Sequence, residues 1–166
     1  MLEVTLLPGE YFVGDQRHRI RTMLGSCVSI TLWQPRLKIG AMSHFLLYER
    51  ERGRGGIELS GRYGAEALEL MVRELRALGV NATDCQAKIF GGGIMFPQLE
   101  MQRRPSIGRR NGESAEELLR LYHIPIVSES LFGVGHRHII FNVHTGDVWV
   151  KQGDLGEPHG PAKEAT

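Results

Sequence analysis

Two side chains in this sequence have the types and spacing for acyl chemistry. Cys27 ends the run Thr22-Met23-Leu24-Gly25-Ser26-Cys27, and His44 ends Gly40-Ala41-Met42-Ser43-His44. A cysteine behind a glycine turn, opening an apolar strand-like run, presents a thiol. A histidine on the next such run can take its proton. A free thiol has a pKa of roughly 8.5 and is only a few per cent thiolate at neutral pH, so a nearby base is what makes it a useful nucleophile. The residue types alone carry no more than this. A lone cysteine on a strand is more often a small buried hydrophobe, and a histidine on an apolar strand is more often a satisfied core residue.

These side chains must be held by the elements around them. Leu2 to Leu7 reads as a strand ended by Pro8-Gly9, and 14–19 reads as a polar loop. Val28 to Trp33 and Ile39 to Leu47 read as strands that pair as a hairpin. Residues 48–61 are charged and glycine-rich, a mobile loop between apolar elements. Leu68, Met71, Val72, Leu75 and Leu78 recur at helical spacing, which predicts a helix from Tyr63 to Leu78 with Gly79 just beyond it. Ala87 to Phe90 is a short buried strand before Gly91-Gly92-Gly93. A second helix is predicted from Asn111 or Ser114 to His123, capped by Asn111 or by Ser114 with Glu117, and buried through Ala115, Leu118, Leu119 and Tyr122. Ile124 to Leu131, His138 to Val143 and Val148 to Val150 complete the strands, the last two joined at Thr145-Gly146-Asp147. Strands outnumber helices and short turns join most of them. The expected class is α+β, with a largely antiparallel sheet and two main helices packed against it. One domain over residues 1–152 is expected, with 153–166 a disordered tail.

Composition bounds the function. The chain has 166 residues, 42% hydrophobic and 23% charged, and can fold without disulfides or metal. A net charge of +1 argues against generic nucleic-acid or membrane-surface binding. Two cysteines make a poor disulfide framework, and neither a signal peptide nor a membrane-length apolar run is visible, so a cytoplasmic, reducing setting is expected. No cofactor or metal is expected. Cys85 follows Asp84, whose charge disfavours thiolate, and reads as structural. Gly91-Gly92-Gly93 lacks the lysine of a P-loop and reads as close backbone packing. His136 and His138 read as solvent-facing strand residues, and Met95 and Phe96 as core. Arg103, Arg104, Arg109 and Arg110 are either solvated charge or a docking patch for an acidic helix surface.

Four motifs occur in order: Thr-x-Leu-Gly-Ser-Cys-Val at 22–28, Gly-Ala-Met-Ser-His at 40–44, Ala-Lys-Ile-Phe-Gly-Gly at 87–92 and Ile-Gly-Arg-Arg-Asn at 107–111. Together with Gly9-Glu10-Tyr11 and Thr145-Gly146, they make residues 2–151 resemble the chemoreceptor glutamine deamidase family, CheD. The resemblance implies a β-sandwich-like core. It also implies hydrolysis of glutamine side-chain amides on methyl-accepting chemotaxis receptors, with Cys27 as nucleophile and His44 as base. His44 would draw the proton from Cys27 to form a thiolate–imidazolium pair. Possible partners are then the receptor and a CheC-type phosphatase. The family's third catalytic residue, a threonine that orients the histidine, lies six positions before the cysteine. Here Arg21 stands there and Thr22 follows it. A one-residue shift in a strand turns a side chain to the other face. Either the turn at Met23-Leu24-Gly25 absorbs the shift, so that Thr22 serves, or another group such as a backbone carbonyl orients His44. Two rival readings remain: another cysteine-dependent acyl transfer or peptide cleavage, and a non-enzymatic chemotaxis adaptor.

Overall fold

The computed structural model describes residues 1–51, 58–100, 105–153 and 163–165. The predicted loop residues 52–57, Arg103, Arg104 and most of the predicted tail lie outside the described residues.

Two five-stranded sheets and a helical layer stack in three tiers. The central sheet has the order β2-β5-β4-β6-β7, formed by β2 (Tyr11–Gly14), β4 (Val28–Gln34), β5 (Ile39–Ser43), β6 (Gln86–Gly91) and β7 (Ile126–Leu131). The outer sheet has the order β1-β3-β8-β9-β10, formed by β1 (Leu2–Thr5), β3 (His18–Leu24), β8 (His136–Asn142), β9 (Val148–Gly153) and β10 (Lys163–Ala165). The β1–β3 and β6–β7 pairs are parallel and the other pairs antiparallel. The helices are α1 (Gly64–Ala77), a short α2 (Pro97–Glu100) and α3 (Ile107–Leu121). This is an α+β fold with a largely antiparallel sandwich. Among the described residues no helix is long and apolar enough to cross a membrane.

Strand β4 shows why the central sheet sits in the middle. Val28, Ile30 and Leu32 join the core formed with Leu68, Met71, Leu75 and Leu119 of α1 and α3. The alternate residues Ser29 and Thr31 are equally buried on the other face. There Met42 and Phe90 of the central sheet meet Ile20, Leu24, Ile139, Phe141, Val148 and Val150 of the outer sheet. Period-two alternation thus loads both faces of one strand.

Several expectations are corrected. His18 and Arg19 belong to β3 rather than a loop, and β3 alternates inward Ile20, Thr22 and Leu24 with outward Arg19, Arg21 and Met23. Helix α3 begins at Ile107, where Ser106 caps it by accepting from the Arg109 amide at 3.2 Å, so neither Asn111 nor Ser114 is the cap. Phe96 is 63% exposed rather than core. Leu78, counted in the apolar stripe of α1, is its exposed C-cap, and Gly79 follows at φ +80°, as a helix-terminating glycine should. Lys163–Ala165 pairs antiparallel with Val148–Val150.

Candidate active site

The site is built where β4 and β5 begin to part. The β4–β5 register pairs Thr31 with Met42, and the same register resumes at an isolated Val28–Phe45 bridge. Between them the buried Ser43 hydroxyl accepts from the Ile30 amide at 3.2 Å. This register sets His44 opposite Ser29, and Cys27 directly precedes the bridge. Cys27 packs against the core between the two sheets, as does Met42 two residues before His44, so Cys27 and His44 share the face that meets the outer sheet.

Thr22 reaches the same place from the opposite sheet. Its Oγ1 lies 2.7 Å from His44 Nδ1 and 2.8 Å from the Leu6 carbonyl. A hydroxyl has one proton. Because the carbonyl can only accept, Thr22 donates to Leu6, and its oxygen accepts from Nδ1–H of His44. The chain of bonds fixes the tautomer and leaves Nε2 with its lone pair free. Nε2 is buried and has no hydrogen-bond partner among the described residues. The Cys27 sulfur is therefore not hydrogen-bonded to it.

Strand parity in β3 sends Thr22, not Arg21, toward His44. Arg21 points outward and pairs with Glu3 at 2.9 Å. Thr22 is 5% exposed and shares the inward face with Ile20 and Leu24. Residues 25–27 then carry the chain from the outer sheet to the central one.

The electrostatics favour a neutral resting pair. Burial pushes His44 down to about 4, against the weaker opposing field of Glu10. Burial pushes the Cys27 thiol up, opposed by its own backbone amide. Desolvation disfavours the charged form of each group. Both shifts favour the uncharged forms, a neutral thiol beside a neutral imidazole. Cys85 is buried and pushed up to about 11, first by desolvation and then by Asp84.

The turn around Cys27 is held from three sides. The Cys27 carbonyl accepts from the Gly92 amide and the Gly25 carbonyl from the Gly93 amide, both at 2.9 Å. Gly91 has φ +109°, and a Cβ there would strike the Cys27 carbonyl, so the glycine run is needed for close backbone approach. Met95 packs on Gly25. Arg137, 3% exposed, donates to the Gly91 and Phe132 carbonyls and to Ser130, tying down the strand ends beneath the turn. Asn111 donates to the Ser26 and Leu46 carbonyls. Sequence reasoning missed the parts played by Asn111 and Arg137. The Ile-Gly-Arg-Arg-Asn motif did contain Asn111, but as a possible helix cap.

The other candidates fall elsewhere. His136 and His138 pack edge to face with centroids 5.7 Å apart on the outer sheet. Among the described residues no group of three or more histidine, cysteine or acidic side chains could hold a metal. Arg109 lies over the Phe132 ring at 4.4 Å and pairs with Glu113, while Arg110 is exposed.

Comparison with known proteins adds independent information. Residues 46–152 match the family model described as CheD chemotactic sensory transduction, a segment that starts just after His44. A protein of Albidiferax ferrireducens named probable chemoreceptor glutamine deamidase CheD 2 is 56% identical over 151 residues, which cover 91% of this chain and 87% of that one. A Dechloromonas aromatica protein named probable chemoreceptor glutamine deamidase CheD 3 is 44% identical over 148 residues, 89% of this chain and 86% of its own. A Chromobacterium violaceum protein named probable chemoreceptor glutamine deamidase CheD 1 is 41% identical over 154 residues, 93% and 79% of the two chains. With a family model over most of the fold and relatives this similar over nearly the whole chain, the protein belongs to the CheD family.

Proposed function

We propose that this protein hydrolyses the side-chain amide of glutamines on chemotaxis receptors, through a thioester on Cys27. The observation that carries the reading is the Leu6–Thr22–His44 chain of hydrogen bonds, which leaves a bare Nε2 on the face that carries the thiol. The relatives' names supply the substrate class.

Substrate binding brings Sγ onto Nε2. The thiol proton passes to Nε2 as sulfur attacks the carboxamide carbon. Thr22 holds the Nδ1 proton of the imidazolium, and the new thiolate offsets its charge. The carbonyls of the Gly25–Cys27 turn are all engaged by the scaffold, and amides of that turn are the proposed donors to the developing oxyanion. Losing one oxyanion donor elsewhere costs about 10²–10³ in rate. His44 returns the proton to the leaving nitrogen and ammonia departs. The same nitrogen then takes a proton from water, hydroxide adds to the thioester, and as the C–S bond breaks His44 returns that proton to the departing sulfur. Glutamate and the free thiol remain.

The test is mass spectrometry of a receptor fragment incubated with the protein. Each modified glutamine should gain the mass difference between an amide and an acid, and Cys27→Ala should abolish the gain. Equal conversion by wild type and Cys27→Ala would sink the mechanism.

A further inference from the structure

Past the Val28–Phe45 bridge the two strands that carry Cys27 and His44 diverge. The Leu46 amide already bonds elsewhere, to the Arg62 carbonyl at 2.9 Å. The opening is filled by one side chain from a third element. Asn111 of α3 is fully buried, and its Nδ2 donates to the Ser26 carbonyl at 3.1 Å and to the Leu46 carbonyl at 2.8 Å. Ser26 directly precedes Cys27, and Leu46 lies two residues beyond His44. Without the amide, two carbonyl oxygens would face each other with no donor between them.

The orientation of the amide follows from its partners. Two carbonyls demand the NH2 end, which leaves Oδ1 buried with no partner among the described residues. A buried acceptor left without a partner is an expensive arrangement, and such exceptions in native structures need a reason. The supporting packing is equally specific. Gly108, one turn before Asn111, lies so close to the glycine run that a Cβ there would sit 2.5 Å from the Gly92 oxygen. Gly112, next in the chain, packs on Phe132. The helix is brought against the backbone of the site so that the short Asn111 side chain can reach both strand ends.

We propose that Asn111 is a positioning residue that, by bracing the two diverging strand ends, holds the Cys27 turn where its sulfur can meet His44 Nε2 when substrate binds. The proposal rests on the deamidase reading for its rate effect, but its geometric part stands on thiol reactivity alone.

The experiment measures iodoacetamide alkylation of Cys27 against pH in a Cys85→Ala background, together with kcat and KM on a receptor fragment. Four proteins are compared: unchanged Asn111, Asn111→Ala, His44→Ala and the double variant. Misplacing reacting groups by about 1 Å can cost on the order of 10² in rate. Asn111→Ala should therefore lower kcat on that order, leave KM within about twofold, and move the alkylation profile to higher pH. In the His44→Ala background the same substitution should change the profile little, because the geometry it protects is already gone. Asn111→Ser, with one short donor, should fall between; if Asn111→Ala does not fold, this variant carries the test. A profile unchanged by Asn111→Ala overturns the proposal. So does a uniform rise at all pH values, the mark of a merely loosened turn, and so does an equal shift with and without His44. Coupling to His44 without any glutamine conversion by the protein with unchanged Asn111 would uphold the positioning role and reject the deamidase reading.

Discussion

At the scale of single residues, the site depends on which atom holds which proton. Thr22 has one hydrogen and gives it to Leu6, so its oxygen is the acceptor that keeps Nδ1 of His44 protonated. Thr22→Val keeps the shape and removes the acceptor. Deamidation by this variant should fall about 10²-fold, the lower range of what positioned acid–base catalysis supplies, and Thr22→Ser should restore most of it in steady-state kinetics. The depressed His44 pKa makes a second prediction, on stability. The folded state holds the ring neutral down to about 4, whereas the unfolded chain takes up a proton near the ordinary histidine value of 6.5. Between these values the unfolded state binds more protons, so stability falls as pH falls, by about 3 kcal/mol across the window, and is fully retained above it. Urea titrations between pH 7.5 and 4 should show this loss in wild type and a smaller one in His44→Gln. Cys27 and His44 were legible in the sequence because their residue types sit in short motifs. Thr22 was legible only as one of two alternatives, since strand parity decides it. Asn111 was hidden because its partners lie 85 and 65 positions away.

At the scale of elements, α3 and the glycine run behave as one device. Gly108 meets the Gly92 and Gly93 carbonyl oxygens, and backbone atoms cannot step aside as a flexible side chain can. Gly108→Ala should push α3 off the turn, destabilise the fold by about 1–3 kcal/mol as overpacking does, and lower kcat by more than that stability loss explains. Urea denaturation beside kinetics on the folded fraction separates the two effects. The same glycines explain why the helix start was misread. Gly108 and Gly112 argue against a helix by propensity, yet close approach to a neighbouring backbone requires them. Propensity was overridden by packing. In β3 the alternation of Arg19, Arg21 and Met23 with Ile20, Thr22 and Leu24 was present in the sequence, but an exposed methionine and a buried threonine blur its contrast. Helix α1 was read to within a residue at each end because nothing opposes its apolar stripe, and only Leu78 at its exposed C-cap was misplaced.

At the scale of the whole molecule, the candidate site draws on all three tiers: Thr22 from the outer sheet, Cys27 and His44 at the ends of central-sheet strands, and Asn111 from the helical layer. No tier contains the whole candidate set. The register that brings them together comes from pairings distant in sequence, which is why the sandwich was expected from strand number and resemblance while its layering was not. The consequence is that the Thr22–His44 bond can exist only while the two sheets are closed on each other. Phe141 is fully buried in the core between them, touching Gly40 of β5. Phe141→Ala should cost about 3–5 kcal/mol, typical of removing a buried aromatic ring, and still leave a folded protein if the domain has the usual 5–15 kcal/mol of stability. The urea midpoint for far-UV circular dichroism and the midpoint for loss of deamidation should then move down together, by the same amount. An activity midpoint that drops further than the unfolding midpoint would mean that the sheets part around Thr22 and His44 before the domain unfolds, and that the site is not a property of the closed sandwich.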